Sequence, residues 1–130
     1  MCVFCEIIKG NIPSKKVYED ENVLAILDIS QATKGHTLVI PKKHYANILE
    51  IEYPEYENVM IAVKKVTDKI NVVYKTLGFN VLNNCGEAAG QTVNHFHVHV
   101  LPRYKDDDLN IEFTDHSKDL NLDEIALDLE

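Results

Sequence analysis

The chain has 130 residues, 45% of them hydrophobic and 26% charged, which fits a single ordinary globular domain. Its formal net charge of -8 is uneven: residues 1–105 carry 12 Lys and Arg against 11 Asp and Glu, whereas residues 106–130 carry Lys118 against ten acidic residues. A near-neutral body with an acidic tail argues against nucleic acid as a partner, and no apolar run approaches the ~20 residues of a membrane span.

Residues 17–19 and 23–27 read as two short strands joined by the polar hairpin loop Asp20-Glu21-Asn22. A third strand covers residues 36–40, opened after Lys34-Gly35 and stopped by Pro41. Residues 54–77 predict a long helix, because Tyr56, Val59, Val63, Val66, Ile70, Val73 and Leu77 recur in alternating steps of three and four. Pro54 suits its first turn and Gly78 its C-terminal cap. Strands at 79–82 and 94–101 follow, the latter stopped by Pro102. The tail contains a segment, 120–129, that is either a short amphipathic helix or disordered. These elements predict an α+β domain around an antiparallel sheet of about five strands, with one long helix and short terminal helices. The body is expected to span residues 1–105 and the acidic tail 106–130.

The N-terminus has neither a basic leader nor a long apolar run, so a cytoplasmic location with no membrane association is expected. Three cysteines, an odd count, predict no disulfide framework in that compartment.

The densest chemical signal is His95-Phe96-His97-Val98-His99. Alternate residues of a strand share a face, so the three imidazoles line one side and Phe96, Val98 and Val100 enter the core. Three buried imidazoles cost too much desolvation to serve as core filling. Two uses of the row compete. It binds a metal through neutral imidazoles, or one imidazole attacks an electrophile while its neighbours orient it. The preceding loop, residues 84–93, brings small residues, a Gln amide and a Thr hydroxyl, groups suited to an anion. That loop favours phosphate chemistry.

The stretch from His95 to Leu101 resembles the signature of the histidine triad, or HIT, proteins. The resemblance extends to Phe4-Cys5-Glu6-Ile7-Ile8-Lys9-Gly10-Asn11-Ile12-Pro13, to Asp28-Ile29-Ser30-Gln31-Ala32, and to the stretch from Gly35 to His44. It implies that His97 is the nucleophile, attacking an α-phosphorus to give a nucleotidyl-histidine. It also implies that the backbone carbonyl of His95 holds the second ring nitrogen of His97. His99 matches a phosphate ligand, Gln91 and Thr92 match groups holding phosphate oxygens or the leaving group, and Asn84 matches a contact near phosphate and ribose. Asp28 matches the ribose acceptor, and Phe4, Ile7, Leu27 and Ile29 the apolar wall around the base. His36 matches a histidine behind the triad. The implied ligand is a purine nucleotide such as AMP, ADP or GMP, and the implied activity is that of a nucleoside phosphoramidase. A dinucleoside polyphosphate hydrolase and a non-catalytic nucleotide- or metal-binding adaptor are the alternatives. A homodimer with a continuous sheet is also implied.

Cys2 and Cys5 form a Cys-x-x-Cys pair, weak by itself. Some bacterial members of the family and the related galactose-1-phosphate uridylyltransferases are similar in binding zinc through such a pair, a histidine after the third strand and the first triad histidine. Here Cys2, Cys5, His44 and His95 fill those positions, which implies one structural zinc per chain. The chain departs from the eukaryotic branch in having no Trp. Leu101-Pro102-Arg103-Tyr104 instead resembles bacterial members and the fragile-histidine-triad branch.

Overall fold

The computed structural model describes residues 1–106 and 108–130. Among them the chain runs through α1 (Val3–Ile8), β1 (Lys16–Glu19), β2 (Val23–Leu27), β3 (Thr37–Pro41), α2 (Tyr53–Tyr74), β4 (Gly78–Leu82), β5 (Val98–Arg103) and α3 (Leu122–Asp128). The strands form one antiparallel sheet in the order β1-β2-β3-β5-β4. The α+β class, the five strands, the long helix and the short terminal helices agree with the sequence pattern. No helix among the described residues is long and apolar enough to cross a membrane.

Asp20 closes the first hairpin, its carboxylate accepting the N–H groups of Asn22 and Val23 at 2.8 Å each. β2 and β3 are buried on both faces, which is why they read as nearly unbroken apolar runs. Val23, Ala25, Val39, Phe96, Val98 and Val100 pack on one side against Val59, Ala62, Val63, Val66 and Ile70 of α2. Leu24, Ile26, Leu38 and Ile40 point the other way, onto Phe4 of α1. The sheet is thus held between a long helix and a short one. Truncating a wholly buried ring such as Phe96 in this layer costs about 3–5 kcal/mol.

Three boundaries differ from expectation, each for a physical reason. The last strand begins at Val98 rather than at residue 94. Ahead of it, Phe96 N–H bonds the Tyr45 carbonyl at 2.7 Å outside the sheet ladder. Pro41 is the last residue of β3, as expected, whereas Pro102 lies within β5, opposite Phe79, instead of ending it. β3 and β5 pair only from Thr37 to Val39 against Val98 to Val100, so the side on which each proline lacks a donor needs none. α2 stops at Tyr74, and Lys75, with φ of 52°, takes the left-handed cap position assigned to Gly78. Gly78 instead opens β4 opposite Arg103. The buried stripe accordingly ends at Ile70, while Val73 and Leu77 are exposed.

Candidate active site

His95 and His97 lie in the irregular segment feeding β5, and His99 lies on β5 itself, paired across the sheet with Leu38 and Leu82. Each imidazole has one nitrogen engaged by a defined partner, and those partners decide its chemistry.

His97 is buried, and its Nδ1 is 2.7 Å from the His95 carbonyl. A carbonyl only accepts, so Nδ1 carries the proton and Nε2 is left with its lone pair. Burial holds the His97 pKa below its ordinary value, so the ring is neutral at pH 7. Asn83 donates to the His97 carbonyl at 2.9 Å, and Phe4 packs edge-on to the ring at 5.1 Å. His97 is therefore an uncharged imidazole locked in one orientation, with its Nε2 lone pair free.

On the β5 side, Ala32 N–H donates to His36 Nδ1 at 3.2 Å. The His36 proton must then be on Nε2, which lies 2.9 Å from His99 Nδ1 and 3.6 Å from Asp28 Oδ2. His36 donates to His99 Nδ1, so His99 keeps its own proton on Nε2. Burial, with His97 and His36 alongside, lowers the His99 pKa to about 4. His99 is thus a neutral hydrogen-bond donor, suited to an anionic oxygen.

On the α1 side, wholly buried His95 directs Nε2 to the Pro41 carbonyl at 2.8 Å, leaving Nδ1 bare. That Nδ1 is 3.4 Å from Cys2 Sγ, 3.6 Å from Cys5 Sγ and 3.0 Å from His44 Nδ1, and Cys5 Sγ is 3.4 Å from His44 Nδ1. All four donor atoms lie within 4.8 Å of one another. Tetrahedral zinc, with bonds of about 2.3 Å to sulfur and 2.0 Å to nitrogen, would space sulfur and nitrogen about 3.5 Å apart. The donor set fits. Two ring nitrogens 3.0 Å apart also require a proton or a cation between them. Without a cation, burial and the adjacent Cys2 push the Cys5 thiol above its ordinary pKa. A second group, Asp28, His36 and His99, is equally close-set. It does not fit a metal, because the His36 Nε2 lone pair is replaced by a proton.

Next to the histidines is a cavity of about 600 Å³, whose lining includes Ile7, Ile26, Leu27, Asp28, Ile29 and Gln31. Asp28 stands at its histidine end, with Oδ1 accepting the Ser30 N–H at 2.8 Å and Oδ2 toward His36. Ile7, Leu27, Ile29 and Asp28 are thus brought together. Phe4 is outside that lining and lies against His95 and His97 instead. Another cavity, about 340 Å³ against α2, includes Lys16, Lys34 and Lys69 in its lining and, among the described residues, no histidine, cysteine or carboxylate.

The loop ahead of the histidines differs from expectation at Gln91. Its side chain is 7% exposed, and its amide bonds the backbone at Gly86, Ala46 and Val93. Where the sequence suggests an amide for phosphate, the structure shows one committed to protein. Thr92 is exposed, and Asn84 is half-buried with only a long 3.5 Å contact to the Gly90 carbonyl. Two contributors escape sequence reasoning. Asn83 holds the His97 carbonyl, and Gln31 bonds the carbonyls of Asp28 and His36 while accepting the Gly35 N–H. Their types suit loops, and nothing in their spacing marks those targets.

Comparison with known proteins agrees with this geometry. The HIT domain family matches residues 9–106. A Bacillus subtilis protein named hit is 51% identical over 91% of this chain and 82% of its own length. A crystal structure of a HIT family protein from Bacillus anthracis superposes with a TM-score of 0.92 at 46% identity, covering 98% of this chain and 94% of that one. A Zn-bound histidine triad family protein from Mycobacterium smegmatis superposes with a TM-score of 0.80 at 37% identity, over 91% of this chain and 86% of that one. An adenosine 5'-monophosphoramidase of Schizosaccharomyces pombe is 43% identical over 78% of this chain and 74% of its own length. With its histidine row, sheet order and matched span all in agreement, the chain belongs to the HIT family.

Proposed function

We propose that the chain is a nucleotidyl hydrolase acting at the α-phosphate of a purine nucleotide, with an adenosine phosphoramidate as the preferred kind of substrate. The observation that carries this reading is the locked tautomer of His97: Nδ1–H to the His95 carbonyl at 2.7 Å, with Nε2 bare and uncharged. In the first step Nε2 attacks phosphorus, a P–N bond to His97 forms, and the bond to the leaving amine breaks as the amine takes a proton from solvent. Water then attacks phosphorus, its proton passes to solvent, and AMP leaves as the imidazole is regenerated. Splitting the displacement in this way gives two easier steps. His99 Nε2–H and the Thr92 and Asn84 side chains hold the phosphate oxygens, while Asp28 accepts the ribose hydroxyls. Ile7, Leu27 and Ile29 flank the base. The phosphoramidase activity of the fission yeast relative supports this choice of substrate.

Cys2, Cys5, His44 and His95 are proposed to hold one structural zinc per chain, as donor spacing and the Zn-bound relative support. A closed four-ligand site supplies no Lewis acid to substrate; it would fasten α1 and the carbonyl that orients His97. β4 is an edge strand carrying exposed Val81 and Leu82, which supports a homodimer joined through that edge. Residues 1–105 would then be the catalytic body, residues 106–130 an acidic tail, and the cytosol the compartment, with Cys2, Cys5 and Cys85 unpaired. Light scattering of the purified protein measures the dimer directly.

The decisive experiment offers adenosine 5'-phosphoramidate and a diadenosine polyphosphate to wild type and to His97→Asn. Wild type should release AMP faster from the phosphoramidate, and the variant should lose about 10⁴-fold in turnover. Undiminished turnover by the variant would remove His97 as nucleophile. Faster cleavage of the diadenosine compound would favour a polyphosphate hydrolase, and AMP binding without any cleavage would favour an adaptor.

A further inference from the structure

We infer that Gln91 is a positioning residue: its buried carboxamide sets the backbone of loop 84–92 for the nucleotide phosphate without touching the ligand. The inference rests on the nucleotide reading for the identity of the ligand, and on hydrogen bonds for the role.

The Gln91 Oε1 accepts the Gly86 N–H at 2.8 Å, and Nε2 donates to the carbonyls of Ala46 at 2.7 Å and Val93 at 2.9 Å. Both amide hydrogens and one oxygen lone pair are therefore occupied. The Gln91 backbone N–H returns to the Gly86 carbonyl at 3.1 Å, so the two residues are bonded in both directions and close the loop into a ring. Within that ring, Gly86 and Gly90 have φ of +86° and +94°, values open to glycine and strained for other residues. The shape of the loop thus depends on its two glycines and on the amide that pins its ends.

The three anchors have meaning by position. Ala46 follows His44 by two residues, Val93 precedes His95 by two, and Gly86 belongs to the loop itself. One carboxamide thus joins the segment after β3, the segment entering the histidine row and the loop over the phosphate position. Turning it outward to a ligand would strip all three backbone groups of this partner. Thr92, whose exposed hydroxyl has no partner among the described residues, and Asn84, with its long contact, are loop side chains available to an anion.

The test compares wild type, Gln91→Met and Gln91→Glu. Methionine removes every side-chain hydrogen bond at similar length. Glutamate keeps an acceptor for Gly86 but sets a carboxylate oxygen against the Ala46 and Val93 carbonyls, so it should disturb the loop at least as much as methionine. Calorimetry measures AMP and adenosine binding, and amide hydrogen exchange is followed segment by segment. AMP binding should weaken by about tenfold while adenosine changes by less than about twofold. Exchange should quicken in residues 84–92 and stay unchanged in β2 and β3. Weaker AMP binding with unaltered loop exchange would make Gln91 a direct ligand and overturn the inference. Equal losses for AMP and adenosine with faster exchange throughout would reduce it to general stability, and wild-type behaviour by both variants would remove the role altogether. A wild-type protein that binds no AMP would instead sink the nucleotide reading, while the exchange profile still decides whether Gln91 shapes the loop.

Discussion

His95 and His99 are four residues apart in one row, yet their surroundings give them opposite chemistry. His95 sends its Nε2 proton to the Pro41 carbonyl and turns a bare Nδ1 toward two thiols and a second imidazole. His99 has its Nδ1 lone pair taken up by His36, which is itself set by the Ala32 N–H. One neighbourhood gathers four donor atoms whose spacing fits a cation, and the other holds a proton in place. A histidine's function is thus decided by the partner of its other nitrogen. His97, between them, uses the same rule to keep its own Nε2 free.

Removing the cation side should have the largest effect. Cys2→Ser should abolish bound zinc, read by elemental analysis, and lower the melting temperature by about 10 °C. If metal stays at full occupancy, the His95 cluster is not the site. His36→Asn tests the proton side. Zinc content should remain at the wild-type level while turnover falls by about 10–100-fold, since the variant no longer fixes the His99 tautomer as His36 does. Loss of zinc in this variant would contradict the division of labour.

The smallest effect concerns acidity. The folded pKa of His99, about 4, lies below its ordinary 6.5 because the buried ring resists charge. Between those two values the unfolded chain takes up a proton that the folded chain refuses, so stability falls as pH falls. Above 6.5 the ring is neutral in both states and adds no slope. The melting temperature should therefore drop by a few degrees across that window, and His99→Asn should flatten the drop. An unchanged pH profile in the variant would place the acid sensitivity elsewhere.

A related contrast separates the two ends of the tail. At its root, Arg103 bonds Asp108 at 2.6 Å, Asn80 at 2.7 Å and the Leu109 carbonyl at 2.8 Å. Farther on, Phe113, Leu122 and Leu129 are exposed, and α3 has only Ile125 half-buried. The predicted terminal helix forms at Leu122–Asp128, capped by the Asn121 side chain accepting the Glu124 N–H.

Much of this was legible in the residues. The period-two pattern placed Phe96, Val98 and Val100 inside, and the three-four steps placed the helix face from Val59 to Ile70, because periodicity follows directly from backbone geometry. The types in the histidine row and at Cys2 and Cys5 singled out residues that the fold brings close together. Tertiary structure alone decided what each group does. The proton positions of His36, His95, His97 and His99 depend on carbonyls and N–H groups brought up from Pro41, Ala32 and elsewhere in the fold. Gln91 makes the point most plainly: a polar side chain in a loop announces its capacity to bond, and only the packed backbone around it determines which partners it finds.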